Sequence, residues 1–123
     1  MTTRQRLVPS AALVLAGAFA ACADPAAAPS PDIVIQAGAV AQGSAGFAPN
    51  PLTKSLAAAG GARVTWLNED VGTGHRLISD DGYFDGGNLA PDRSFSFTFP
   101  GAGTYHYHCL NHPAMVGTVR IVP

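Results

Sequence analysis

Residues 105–115 read YHYHCLNHPAM. Three of the chain's four histidines, one of its two cysteines and one of its two methionines fall in these eleven positions. Imidazole, thiolate and thioether are borderline or soft donors, suited to late first-row metals. Cys109, His112 and Met115 stand three apart. That spacing lets three side chains converge on one point within a turn. A fourth donor must come from elsewhere, and His75 is the only histidine outside the cluster. Two imidazoles, one thiolate and a weak thioether make the donor set of a mononuclear copper site that passes single electrons.

Other chemistries fit less well. Zinc prefers a stronger fourth ligand than a thioether, or an open water position. A c-type haem needs C-x-x-C-H, which the chain lacks. A nucleophilic Cys–His pair leaves Met115 without a part, and no oxyanion or substrate apparatus is visible. Taken singly, a buried Cys is a small hydrophobe, a Met is core filler and a loop His is solvated. All four together, at this spacing, point to copper.

These donors must be positioned by short strands. No long helical periodicity runs through the chain. β-Branched and aromatic runs are instead punctuated by turn residues: IVIQA (33–37), LTKSL (52–56), RVTWL (63–67), HRLIS (75–79), RSFSFTF (93–99), TYHYHC (104–109) and VGTVRIV (116–122). AAAGGA (57–62) reads as a turn and 80–92 as a long irregular connection. In RSFSFTF, Phe95, Phe97 and Phe99 share one face. Val64 and Trp66 do the same in RVTWL. About seven strands in some 92 residues predict a two-sheet antiparallel β-sandwich. In TYHYHC, parity puts Tyr105, Tyr107 and Cys109 on the core face and His106 and His108 outside. His106 and His108 are therefore read as surface residues and not as ligands of the Cys109 centre. Two histidines at i, i+2 can still bind a metal on a strand surface.

The run YHYHCLNHPAMVGTVRI resembles the C-terminal metal loop of the cupredoxins, the blue copper proteins. Its C-x-x-H-x-x-M spacing is similar to the short loop of the amicyanin-like members. GFAPNPL, GARVTWLNED and GHRL resemble the family's middle strands and first copper histidine, and PGAGTYHYHC resembles the strand leading to the cysteine. The resemblance covers nearly all of 33–122. It implies a Greek-key sandwich of seven to eight strands with one type 1 copper per chain. It carries the ligand roles onto His75, Cys109, His112 and Met115. It implies a one-electron carrier and not an enzyme, since oxidases and nitrite reductases need further copper centres with several more histidines. Copper storage, delivery or sensing is the alternative. The resemblance also implies that His112 reaches the surface beside Pro113 and Ala114, where redox protein partners dock, and that the chain acts as a monomer. Two positions depart from the family. Arg76 stands where an Asn often clamps the cysteine loop, and Leu110 stands where a hydroxyl residue often follows the cysteine. Asn111 is the candidate to hold the loop instead.

Outside the domain, Arg4 and Arg6 precede fifteen uncharged residues, Leu7–Ala21, with small residues at their end. Residues 1–21 read as a signal peptide, too short to span a bilayer comfortably. Residues 22–31 read as an Ala/Pro-rich tether, and 32–123 as the copper domain. FAAC (19–22) resembles a lipobox, with Phe19 where Leu is usual. Lipidation at Cys22 is the preferred reading and ordinary cleavage nearby the alternative. The protein is thus expected in the periplasm or outside the cell membrane, anchored by lipid on the first reading. A Cys22–Cys109 disulfide would tie the domain to a floppy tether and is rejected. From Cys22 onward eight acidic side chains face five basic ones with no basic stripe, so nucleic acid is not an expected partner.

Overall fold

The computed structural model describes residues 30–123. The signal segment, Cys22 and nearly all of the tether lie outside the described residues.

The short apolar runs pair into eight strands: β1 Ile33–Ile35, β2 Phe47–Ala48, β3 Leu52–Ser55, β4 Ala62–Asn68, β5 Leu77–Ser79, β6 Ser94–Phe99, β7 Gly103–Cys109 and β8 His112–Val122. One helical turn, α1 Ala39–Gln42, and a 3-10 turn at Gly43–Gly46 fill the connection between β1 and β2. The strands form two four-stranded sheets, ordered β2-β1-β4-β6 and β3-β8-β7-β5. Only β1–β2 and β7–β8 are consecutive neighbours in one sheet. Every other connection crosses between the sheets, and this interleaving ties the sandwich together.

The expected cupredoxin-like sandwich is what forms. Its ladders are mostly antiparallel, but β1 pairs β4 and β3 pairs β8 in parallel. The cause is topological. Each of these strands meets a partner far along the chain, reached through crossings and not through a hairpin.

Strand alternation decides what fills the core. Val64 and Trp66 of β4 are fully buried, as are Tyr107 and Cys109 of β7. Trp66 reaches across to the other sheet, with its ring centroid 5.4 Å from that of Tyr107, and stacks 5.7 Å from Phe95 of the neighbouring strand β6. Such offset and edge packing adds about 0.5–1.5 kcal/mol per aromatic pair beyond the buried area. Phe99 is fully buried, and Phe95 and Phe97 are half-buried against the same core. Burial pushes the Tyr107 phenol well above its usual range.

The irregular connection at 80–92 does more than link strands. Phe84 and Leu89 turn into the core. Isolated bridges join His75 to Leu89 and Ile78 to Asp85. The segment thus packs as a flap along the edge strand β5 and fixes the backbone of His75. In the same sheet β7 lies between β5 and β8, so three site-bearing segments are adjacent.

Candidate metal centre

Cys109 closes β7 and pairs with Leu77 on one side and His112 on the other. Two residues, Leu110 and Asn111, make the turn into β8. The sequence suggested that β8 starts only at Val116, but the ladder begins at His112. It is then interrupted: Cys109 pairs with His112, while His108 pairs with Val116. Pro113, Ala114 and Met115 are therefore extra residues on β8, a wide irregularity of the kind that re-aims side chains. It turns a regular hairpin into a loop that folds His112 back over Cys109.

The result is a donor cluster. His75 Nδ1 lies 3.6 Å from Cys109 Sγ, and His112 Nδ1 lies 3.5 Å from it. The three donor atoms all fall within 4.8 Å of one another. The imidazole rings of His75 and His112 meet edge to face with centroids 5.0 Å apart. Metal–nitrogen bonds of about 2.0–2.1 Å and metal–sulfur bonds of about 2.3 Å, opened to roughly tetrahedral or trigonal angles, separate N from S by about 3.6–3.8 Å. The cluster therefore already has the size of a first-row metal's coordination triangle. His75, Cys109 and Met115 have no exposed surface, while His112 is half-buried. Cys109 is a free thiol, so nothing competes for its sulfur.

One functional residue escaped sequence reasoning. Asp70 is buried, and its Oδ2 lies 2.9 Å from His75 Nε2. A carboxylate can only accept, so Nε2 carries the proton and donates it. Nδ1 is left with its lone pair toward Cys109. The other carboxylate oxygen accepts the Gly38 N–H at 2.9 Å. Burial pushes the Asp70 carboxyl up, but the hydrogen bonds from the Gly38 N–H and from His75, together with the electrostatic attraction of the nearby imidazoles, outweigh it. The group ends below its ordinary value and stays ionised. Asn68 completes the frame. Its side chain accepts the Asp70 N–H and donates to the carbonyls of Thr73 and Leu89.

The loop is not held as expected. Among the described residues the Asn111 side chain makes no hydrogen bond. The Leu110 N–H donates to the Arg76 carbonyl at 2.8 Å instead. A backbone bond needs no particular side chain at either position, which is why Arg76 and Leu110 are tolerated there. The Arg76 side chain turns away to a two-point ion pair with Asp85. Asn50 braces the far side: it accepts the Thr118 N–H and donates to the carbonyls of Val116 and Ser44. His106 and His108 point outward from β7, as parity predicts, and take no part in the cluster.

An eight-stranded sandwich whose loop end gathers a buried thiol and two imidazoles, with a buried methionine on the same loop, has the architecture and the donor types of the cupredoxins, the blue copper proteins. The two imidazoles and the thiol fit one late first-row metal ion such as copper. The comparisons with known proteins agree. The chain is 34% identical over 66 residues to amicyanin of Paracoccus denitrificans, covering 50% of each chain. It is 32% identical over 75 residues to amicyanin of Paracoccus versutus, covering 57% of this chain and 56% of that one. The matches thus span about half the length of these curated relatives. Among solved structures, a purple cupredoxin from Nitrosopumilus maritimus superposes with a TM-score of 0.65 at 29% identity. That likeness covers 76% of this chain and all of the other. No family model matches the chain.

Proposed function

We propose that the protein is an exported one-electron carrier whose copper is held by His75, Cys109 and His112, with Met115 as the weak axial donor. The observation that carries this reading is the donor triangle, with 3.5 and 3.6 Å sulfur–nitrogen separations inside a buried, pre-built frame. Copper held there supplies a one-electron Cu(I)/Cu(II) couple, its potential tuned by the axial ligand. The chain's own residues do the rest. Cys109 presents its sulfur from the core side of β7, where water is excluded. Asp70 holds the His75 ring with one nitrogen free. The β5–β7–β8 ladder and the Leu110–Arg76 bond resist rearrangement, and small rearrangement favours fast electron exchange.

His112 is the way out. Its half-buried ring is flanked in sequence by Leu110, Pro113 and Ala114, all exposed. This apolar rim suits the brief, small contacts of redox partners, and we assign it as their docking face. The carrier reading is preferred to an enzyme because His106 and His108 are the only histidines outside the cluster. Export rests on the basic start and apolar run of residues 1–21. Lipid anchoring rests on FAAC and is checked by the intact mass of protein from the membrane fraction. No helix of the described residues is long and apolar enough to cross a membrane.

Electron self-exchange between oxidised and reduced copies, read by NMR line broadening, tests the function. A carrier exchanges electrons rapidly and gives up copper slowly to a competing chelator. Slow self-exchange with fast copper loss would instead mark a storage or delivery protein.

A further inference from the structure

We propose that His106 and His108 form a second metal site, a two-imidazole chelate for a divalent first-row cation on the outer face of β7. The two residues stand two apart on one strand, so both project from the same face, with Cβ atoms about 6.7 Å apart. His106 is exposed, and the His108 side chain keeps 32% of its surface.

Both rings are braced through Nδ1. His108 Nδ1 lies 2.7 Å from Asp80 Oδ1. The carboxylate can only accept, so Nδ1 carries the proton and Nε2 keeps its lone pair. His106 Nδ1 lies 3.1 Å from the hydroxyl of Thr118, its cross-strand neighbour on β8. Among the described residues neither Nε2 makes a hydrogen bond. Asp80 is itself tied to β7, because its own N–H donates to the His106 carbonyl at 2.9 Å. A ligating histidine is ordinarily set in this way, with its second nitrogen donating to a carboxylate that fixes the tautomer and raises basicity.

A cation between the two Nε2 atoms needs bonds of about 2.0–2.1 Å, reached by adjusting the exposed His106 ring toward the half-buried His108. Water would complete the shell. Two imidazoles and water suit Cu(II) best and Zn(II) next. An open site of this kind exchanges its metal readily, unlike the buried centre. The site lies on the face of β7 opposite Cys109. It stands independently of the copper reading.

Zinc chloride titrated into the reduced, copper-loaded protein tests it, followed by NMR of the histidine ring protons and by calorimetry. The His106 and His108 resonances should move together and saturate at one zinc per chain, while His75 and His112 stay put. His106→Ala and His108→Ala should each weaken binding at least about tenfold. Asp80→Asn, which keeps both ligands, should weaken it by about 10–100-fold. An unchanged far-ultraviolet circular dichroism spectrum and thermal midpoint in each variant show that the fold is intact. Ring resonances that do not move at millimolar zinc overturn the proposal. So does full-strength zinc binding by the His106→Ala/His108→Ala double variant.

Discussion

Asp70 decides which nitrogen of His75 faces Cys109, and it places a negative charge behind that ligand. Asp70→Asn keeps the shape and removes the charge. A neutral partner makes the imidazole a poorer donor, and Cu(II) loses more by this than Cu(I). The reduction potential should rise in voltammetry, and copper affinity should fall by about 10–100-fold. In its proposed axial role Met115 would act with the opposite leverage, as a weak neutral donor that favours Cu(I). Met115→Gln should lower the potential by offering a harder oxygen, and Met115→Leu should raise it by removing the donor. The reverse order would mean that Met115 is not the axial ligand. Cys109 and His112 were legible in the sequence because rare residue types recur at one spacing, and the structure brings them together. His75 was legible because no other histidine remained. Asp70 was not, since NEDVGTG offers Glu69 and Asp70 side by side and only the loop's fold selects between them. Asn50 was hidden in the same way, 66 residues from the carbonyl it holds.

The β7–β8 hairpin carries the site, and its regular part depends on a missing side chain. A Cβ at Gly117 would lie 2.1 Å from the Tyr107 ring. Gly117→Ala must displace that ring from its packing against Trp66. It should cost about 1–3 kcal/mol, read as a lowered denaturation midpoint of the metal-free protein. On the neighbouring edge, the Arg76 guanidinium and the Gly87 N–H hold the Asp85 carboxyl down at about 2 from an ordinary 3.8. A depressed carboxylate stabilises the fold above its ordinary value and loses that contribution as pH falls through 2. The pair is exposed to solvent, so the effect is small. Urea midpoints of metal-free protein between pH 5 and 2 should fall slightly more for wild type than for Asp85→Asn. Strand parity made β4, β6 and β7 readable, because one face of each is apolar. The flap at 80–92 was not readable. Phe84 and Leu89 stand isolated among Asp and Gly, with no period to show that they turn inward. The start of β8 was misread because His112-Pro113 looks like loop chemistry, and only pairing with Cys109 makes it strand.

At the scale of the molecule, five crossings between the sheets tie together the sandwich that carries β5, β7 and β8, and the β5–β7 and β7–β8 ladders set their register. The sandwich was legible from run length and turn residues. Its two parallel pairings were not, since they depend on which distant strands meet. The central claim is that this frame presents Cys109 as a copper thiolate between His75 and His112. The optical spectrum of the oxidised, copper-loaded protein tests it most directly. The account predicts an intense visible thiolate-to-copper band that is lost in Cys109→Ser and kept in His106→Ala and His108→Ala. A wild-type protein that binds copper without that band, or a Cys109→Ser variant that keeps it, would contradict the account.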